Sequence, residues 1–301
     1  MISPIEFWPP FAGVVFLVAG LVTFRQELTA SRGFDRLIGL AAVLYAAPLA
    51  VFGAEHLVIP QDIMQGVPVW MPWRLFWAYF VGIALIAAAL SIIAKRYVTL
   101  SATLLAAMIL LFVLMIHLPE VIRDPGNRIF WVIAVRDTAF SAGALILAVT
   151  QWKERRASGA NTLLFAGRCV IALALIFFGI EHFLHPEFAP GVPLAKMTPA
   201  WVPLGRLWGY LSGAILLVAG AAMLFNKLTR VAAISAGAVM ILITLFLYLP
   251  IALMASGPSA ILEGVNYVAD TLFFAGTALL LAVASRGREP APSKSSSALR
   301  A

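Results

Sequence analysis

Long apolar stretches, separated by short connectors rich in charge or in Gly and Pro, dominate the chain. A helix that crosses a bilayer needs about 20 largely apolar residues. Eight stretches meet that requirement: residues 37–57, 75–94, 98–118, 129–151, 163–183, 207–225, 230–249 and 260–284. A ninth, Phe7 to Phe24, is shorter but free of charge, and it opens with Pro9-Pro10, which a first helical turn tolerates. No Lys or Arg precedes that run, so it reads as a span rather than a secretory signal. The pattern predicts an all-α polytopic membrane protein with eight to nine transmembrane helices.

Composition removes the competing classes. Of 301 residues, 62% are hydrophobic and 12% charged, and the mean hydropathy is +0.97. Soluble chains carry roughly 45–50% apolar and about 25% charged residues. A soluble enzyme, a disordered chain and a disulfide scaffold are therefore excluded. Cys169 is the one cysteine and reads as a small packing residue in an apolar helix.

The net charge of +7 could suggest nucleic acid, but its distribution is a topology signal. One set of connectors holds Arg25, Arg32, Arg36, Lys95, Arg96, Lys153, Arg155, Arg156, Arg168, Lys227, Arg230 and the basic residues after Ser285. The other holds Arg74, Arg123, Arg128, Lys196 and Arg206, and Arg136 lies inside a span. Cytoplasmic loops carry the excess of Lys and Arg. The expected location is a bacterial cytoplasmic (inner) membrane, with the N-terminus outside, the C-terminus cytoplasmic and no nucleic-acid partner. Trp8, Trp70, Trp73, Trp77, Trp131, Trp201 and Trp208 all fall on the expected outer side, as an interfacial belt or an aromatic-lined mouth would require.

The chain also repeats itself. Phe52-Gly53-Ala54-Glu55-His56 and Pro60 match Phe178-Gly179-Ile180-Glu181-His182 and Pro186 at an offset of 126. Pro68, Trp70, Pro72, Trp77, Tyr79 and Gly82 match Pro199, Trp201, Pro203, Trp208, Tyr210 and Gly213 at 131, as Leu118-Pro119 matches Leu249-Pro250. Asp137-Thr138, Phe140 and Ala142-Gly143 match Asp270-Thr271, Phe273 and Ala275-Gly276 at 133. The expected organisation is an N-terminal helix and basic linker (1–34), a first four-helix unit (35–155), a second (161–285) and a disordered cytoplasmic tail (286–301). Two tandem four-helix bundles entering the membrane in the same sense would be related by a parallel pseudo-two-fold. The segments 58–73 and 184–205 carry Pro, Gly and Trp instead of polar residues, so each is expected to fold back as a cap or shallow re-entrant piece.

Phe178-Gly179-Ile180-Glu181-His182-Phe183, followed by Pro186, Pro193, Pro203 and Trp208-Gly209-Tyr210-Leu211-Ser212-Gly213, resembles the opening of a DoxX-like membrane protein. Both units carry the resemblance, the first with Leu57 in place of Phe183, so the chain resembles a fused tandem pair. The resemblance implies four helices per unit. Its members include membrane subunits of sulfur or quinone oxidoreductases and proteins that assist maturation, which makes membrane redox or maturation subunits the implied partners. The cysteines of some members have no counterpart here.

Ionisable groups inside a bilayer cost at least ~2.5–3.5 kcal/mol each, so each needs a partner or a purpose. Asp137 lies about 12 Å into its helix, at 1.5 Å per residue, and Asp270 is comparable. Glu55 and Glu181, each beside a histidine (His56, His182), sit near helix ends. Glu263, Asn266 and Asp270 share one helical face, with Thr277 two turns on. Glu55, His56, Asp137, Glu181, His182, Glu263, Asn266 and Asp270 are the ligand-binding or proton-handling candidates, and helix packing fits them equally well. Arg136 is expected to pair with a distant carboxylate. Arg74, Trp77, Arg206 and Trp208 are the expected interface anchors.

No metal site is expected: donors such as His185 and Glu187 exist, but no His-x-x-x-His spacing does. A bis-His haem, for instance through His56 and His117, is not expected either. Three functions stay open. The first is a membrane component of a redox system with an outer-facing cavity for a quinone-like or other amphiphilic ligand. The second is a small-solute or proton-coupled transporter, against which no interrupted pair of mid-membrane helices is evident. The third is a non-catalytic scaffold or assembly factor. No nucleotide loop, catalytic triad or zinc-protease motif is present, so catalysis by this chain alone has no support.

Overall fold

The structure, a computed structural model, describes residues 3–152 and 158–285. The expected tail (286–301) and most of the basic linker near residue 155 lie outside the described residues. Among those described, nine helices are long and apolar enough to cross a membrane. They are α1 (Pro4–Thr23), α2 (Ala41–Val58), α3 (Arg74–Ile93), α4 (Val98–Arg123), α5 (Arg128–Thr150), α6 (Ser158–Leu184), α7 (Gly205–Leu224), α8 (Thr229–Met254) and α9 (Pro258–Ala284). The described residues contain no strand, only an isolated antiparallel bridge between Phe188 and Met197. The chain is an integral membrane protein of the all-α class.

Two helices are longer than their apolar pattern predicts. α4 and α8 continue past Leu118 and Leu249, through Pro119 and Pro250, to Arg123 and Met254. A helical proline lacks its N–H, and its ring crowds the carbonyl four residues back. Each helix absorbs that conflict in a π-helical turn, Val113–His117 and Thr244–Tyr248, just before its Leu-Pro step. The regular helix is thus interrupted at the same repeat position in both units. Left-handed backbone recurs likewise: Trp73, Lys95 and Tyr97 in the first unit, Leu204, Asn226 and Leu228 in the second.

Packing follows chain order within each unit, α2 on α3, α3 on α4 and α4 on α5, then α6 on α7, α7 on α8 and α8 on α9. The units meet through their end helices: α2 packs on α9, α5 packs on α6, and α5 touches α9 between them. α1 lies outside this arrangement, mainly against α2.

Small residues let these backbones approach, as bilayer helix packing requires. A Cβ on Gly53 would sit 2.9 Å from the Gly82 carbonyl, and one on Gly179 would sit 3.0 Å from that of Gly213. The glycine shared by the two Phe-Gly-x-Glu-His segments is thus explained by the first helix-helix contact of each unit. Where α5 and α9 meet, the repeat-equivalent Phe140 and Phe273 stack on each other with centroids 4.0 Å apart. Tyr45 donates from its hydroxyl to the Phe140 carbonyl at 2.6 Å and packs edge-on to Phe273.

Trp77 and Trp208 each donate from the indole to the carbonyl of the proline five residues back, Pro72 and Pro203, at 3.0 Å. The repeated Pro and Trp are therefore the two ends of one clip that sets the start of α3 and of α7. On the opposite, basic face, Arg230 of α8 pairs with Asp35 at 2.7 Å. Lys95 pairs there with Glu27 and lies over the Phe24 ring; its hydrogen bond holds the Glu27 carboxyl below its ordinary range.

A Cβ on Gly276 would fall 2.5 Å from the backbone nitrogen of Tyr45. Gly276→Ala is expected to lower stability by about 1–3 kcal/mol, the usual cost of overpacking. Gly159→Ala, where a Cβ meets nothing within 4 Å, should leave it unchanged. Thermal unfolding of the detergent-purified protein, followed by size-exclusion fluorescence, checks the pair.

Candidate functional site: a charged cluster where the two units meet

Arg136 sits on α5 at the contact with α9, and its side chain is 16% exposed. Its Nη1 donates to Asp270 Oδ2 at 2.6 Å and its Nε to Asp137 Oδ1 at 3.1 Å. One guanidinium thus serves two aspartates that are repeat equivalents of each other. The distant carboxylate expected for Arg136 is Asp270. On the far side of Asp137, His117 Nε2 lies 3.1 Å from Oδ2, placed there by the π-turn that His117 closes. Because a carboxylate accepts, Nε2 carries the hydrogen of that bond. The ring's Nδ1 is buried and makes no hydrogen bond; the Glu120 carboxylate stands 3.9 Å from it.

The two repeat-equivalent glutamates reach across to the other unit, but to different partners. Glu55, on α2, is buried and meets Asn266 on α9, whose amide donates to both carboxylate oxygens. Glu55 also lies within electrostatic reach of Asp270, one turn along α9 from Asn266. Glu181, on α6, meets Arg128 of α5 at 3.5 Å. A neutral amide holds one glutamate, and a cation holds the other.

The histidines face the loops. Each donates from Nδ1 to the carbonyl four residues back, His56 to Phe52 at 2.7 Å and His182 to Phe178 at 2.5 Å. Nε2 of both rings is thereby left as an acceptor. His182 Nε2 accepts the Gly191 N–H at 2.9 Å; His56 Nε2 has no partner among the described residues.

The two loops expected to fold back behave differently. Residues 185–204 run inward: Ala189, Val192 and Leu194 are 0% exposed. Tyr248 donates to the Ala189 carbonyl at 3.1 Å, and Arg128 donates to that of Leu194 at 2.8 Å while lying over the Phe188 ring. Residues 59–73 stay on the surface, with Val69, Trp70 and Trp73 between 68% and 85% exposed. Arg74 donates to the carbonyls of Met64, Gln65 and Val67, so it clasps its own loop. Arg206, at the start of α7, makes no such clasp.

Glu263 lies apart from Arg136: it accepts from Lys196 at 2.8 Å and from the Tyr267 hydroxyl at 2.8 Å, near the surface. Thr277 is buried and its hydroxyl has no hydrogen-bond partner among the described residues. Sequence pattern alone passed over Arg128 as a loop charge and gave no role to Tyr248. Their signal was positional: Tyr248 is the counterpart of His117, each next to a Leu-Pro step. Among the described residues, no three His, Cys, Asp or Glu side chains converge as metal donors would.

The DoxX family model matches residues 163–249, within the second unit. That part of the chain is thus similar to DoxX membrane proteins, within an integral membrane protein. No curated protein and no solved structure matches it.

Removing one partner of a buried ion pair costs roughly 3–5 kcal/mol, because the other charge is left alone. Arg136→Met is expected to lose about that much stability. The triple change with Asp137→Asn and Asp270→Asn should recover more than half of it. Unfolding curves of the three proteins check whether the loss comes from the stranded carboxylates.

Proposed function

We propose that this protein is a membrane component of a redox system, in which the cluster around Arg136 takes and returns protons for a quinone-like amphiphile. The observation that carries this reading is the composition of the cluster. Asp137, Asp270 and Glu55 share one guanidinium, one imidazole and one amide inside the apolar bundle. Such a set can hold a proton on more than one member while the neighbours re-pair, as general acid–base work requires. Binding would use apolar walls with a few polar groups, the ordinary make-up of a small-molecule site. Electrons would come from a partner protein of that redox system.

The reading includes two four-helix units, 35–155 and 161–285, related by a parallel pseudo-two-fold. It also places the tryptophan-rich face outside a bacterial cytoplasmic membrane, which would open the cluster toward the outer side. Trp70, Trp73, Trp201 and Trp208 are well exposed there, in keeping with an interfacial belt.

A second reading, proton-coupled transport, draws on the paired π-turns. Helix interruptions at matching repeat positions are the usual pointer to a transport site, and π-turns gather at functional positions. Proteoliposome uptake with and without a pH gradient separates the two.

Purified protein is expected to bind a short-chain ubiquinone analogue, and Asp270→Asn should weaken that binding about ten-fold or more. Titration by intrinsic tryptophan fluorescence measures both. Equal affinity in the variant would sink the proton-handling role.

A further inference from the structure

α1 covers one face of the first unit, and the matching face of the second unit is bare. α1 seats its glycines on α2 and α3: a Cβ on Gly13 would fall 2.6 Å from Val51, and one on Gly20 would fall 2.7 Å from Val43 and 2.9 Å from Ile93. Beneath α1, Val43, Ala47 and Ala54 form one buried stripe of α2. The second unit has no such cover of its own. Only seven residues separate the end of α5 at Thr150 from the start of α6 at Ser158, too few to cross a bilayer. At the repeat offset of 126, the stripe becomes Cys169, Leu173 and Ile180 of α6. Leu173 and Ile180 are 56% and 46% exposed.

The exchanged residues say what suits this face. Helices close on each other in a bilayer over small side chains, as α1 does over Ala47 and Ala54. The bare stripe carries Leu173 and Ile180 at those two positions, and Phe177 where α2 has Val51. A surface enlarged in this way does not receive a helix as α2 receives α1. Its branched and aromatic side chains suit flexible acyl chains instead.

One charge belongs to this face. Arg168 adjoins Cys169 and lies one turn before Ala172, where α6 meets α7: a Cβ on Gly220 would fall 2.7 Å from the Ala172 carbonyl. It stands five residues inside the apolar run that starts at Leu163, about 8 Å deep at 1.5 Å per residue. Its counterpart in the first unit is Ala42, so the covered side lacks the charge. Arg128, Arg136 and Arg230 each have a carboxylate. Arg168 has none among the described residues, and its Nε makes no hydrogen bond. The side chain instead bends back toward the basic face, with its guanidinium carbon 5.2 Å from the centroid of the Phe165 ring. That ring, one turn before Cys169 on the same stripe, is 58% exposed. A long basic side chain reaches for the headgroup level in this way, and a charge within a span needs a partner.

From these observations we infer that the bare face of α6 beside α7 binds an anionic phospholipid, with its phosphate on Arg168 next to the Phe165 ring and an acyl chain along Leu173. Arginine grips a phosphate through paired, charge-assisted N–H bonds, and basic sites among transmembrane helices take anionic headgroups. The polarity of the site fits the leaflet: Phe165 and Arg168 lie toward the basic face, and Leu173 lies deeper. The site stands apart from the cluster around Arg136 and does not depend on the redox reading.

The test uses the full-length protein in nanodiscs of equal phosphatidylglycerol and phosphatidylcholine, with retained lipids read by native mass spectrometry. Phosphatidylglycerol is expected to be retained about five-fold or more over phosphatidylcholine. Arg168→Gln should bring the ratio close to one, and Arg168→Lys should keep part of it. Arg96→Gln, which removes a basic-face charge from the first unit, should leave it unchanged. A phosphatidylglycerol with a diazirine in its acyl chain should label peptides of α6 and α7 more than a phosphatidylcholine with the same diazirine does. That labelling needs no variant, so it decides even where a substitution prevents folding. Equal retention of the two lipids, an unchanged ratio in Arg168→Gln, an equal loss in Arg96→Gln, or enriched labelling confined to other helices overturns the site. Leu173→benzoylphenylalanine, irradiated in the native membrane, tests the other occupant. A discrete protein-sized adduct there means a partner helix and overturns the lipid assignment; its absence supports the lipid.

Discussion

The structure turns on one guanidinium placed where the two units meet. Arg136 lies within a span and faces both aspartates of the repeat, and a charge at that depth is tolerated only when paired. Asp137 is its neighbour on α5, whereas Asp270 must be brought to it on α9. The ion pair therefore demands that α5 and α9 touch. The sequence meets that demand with residues that let the two helices close: Gly143, Gly276 and the stacked Phe140 and Phe273. The contacts of α2 with α9, and of α6 with α5, follow the same logic, since Glu55 and Glu181 each find their partner across the junction.

One arginine cannot be symmetric. Its repeat counterpart is Ala269, so the two units divide the labour around it. The second unit's glutamate is neutralised by Arg128 of the first, and the second fills its interior with its own backbone. The first holds its glutamate with an amide and leaves its connector on the surface. The retained scaffold is the geometry of glycines, π-turns and tryptophan clips. Divergence is concentrated in the partners of the ionisable groups, where one residue exchange changes charge without changing fold.

The spans, the repeat and the buried carboxylates were legible in the sequence because each leaves a local trace: apolar length, spacing of rare residues, charge inside an apolar run. The partners were not. Arg128 reads as a loop charge until α5 is known to lie against α6, and Asn266 reads as a stripe member until α2 is known to lie against α9. Helical periodicity says which residues share a face, not which helix that face meets. The extensions of α4 and α8 were hidden for another reason: proline ends a regular α-helix, and only a widened turn lets the chain continue. The repeated Leu-Pro step marked the place, but the turn that resolves it is a cooperative property of the backbone.

Polar residues in membranes often serve only to fasten helices, and satisfaction of hydrogen-bonding groups distinguishes fastening from other work. A fastening network should close on itself, because every buried polar atom left open is a cost. Around the buried peptide of the second unit it closes: His182 uses both ring nitrogens, Tyr248 its hydroxyl, and Glu181 its arginine, although Thr277 elsewhere in that unit stays unpaired among the described residues. On the first-unit side it does not, since His117 Nδ1 is buried without a hydrogen bond, and Glu55 has an amide where its counterpart has a cation. Both sides descend from one pattern and sit in one bundle, so poor design of the fold as a whole cannot account for the open one. The contrast at His117 and Glu55 is therefore local: it marks where the partners of the repeat's ionisable groups have diverged, on a helix scaffold that both sides keep.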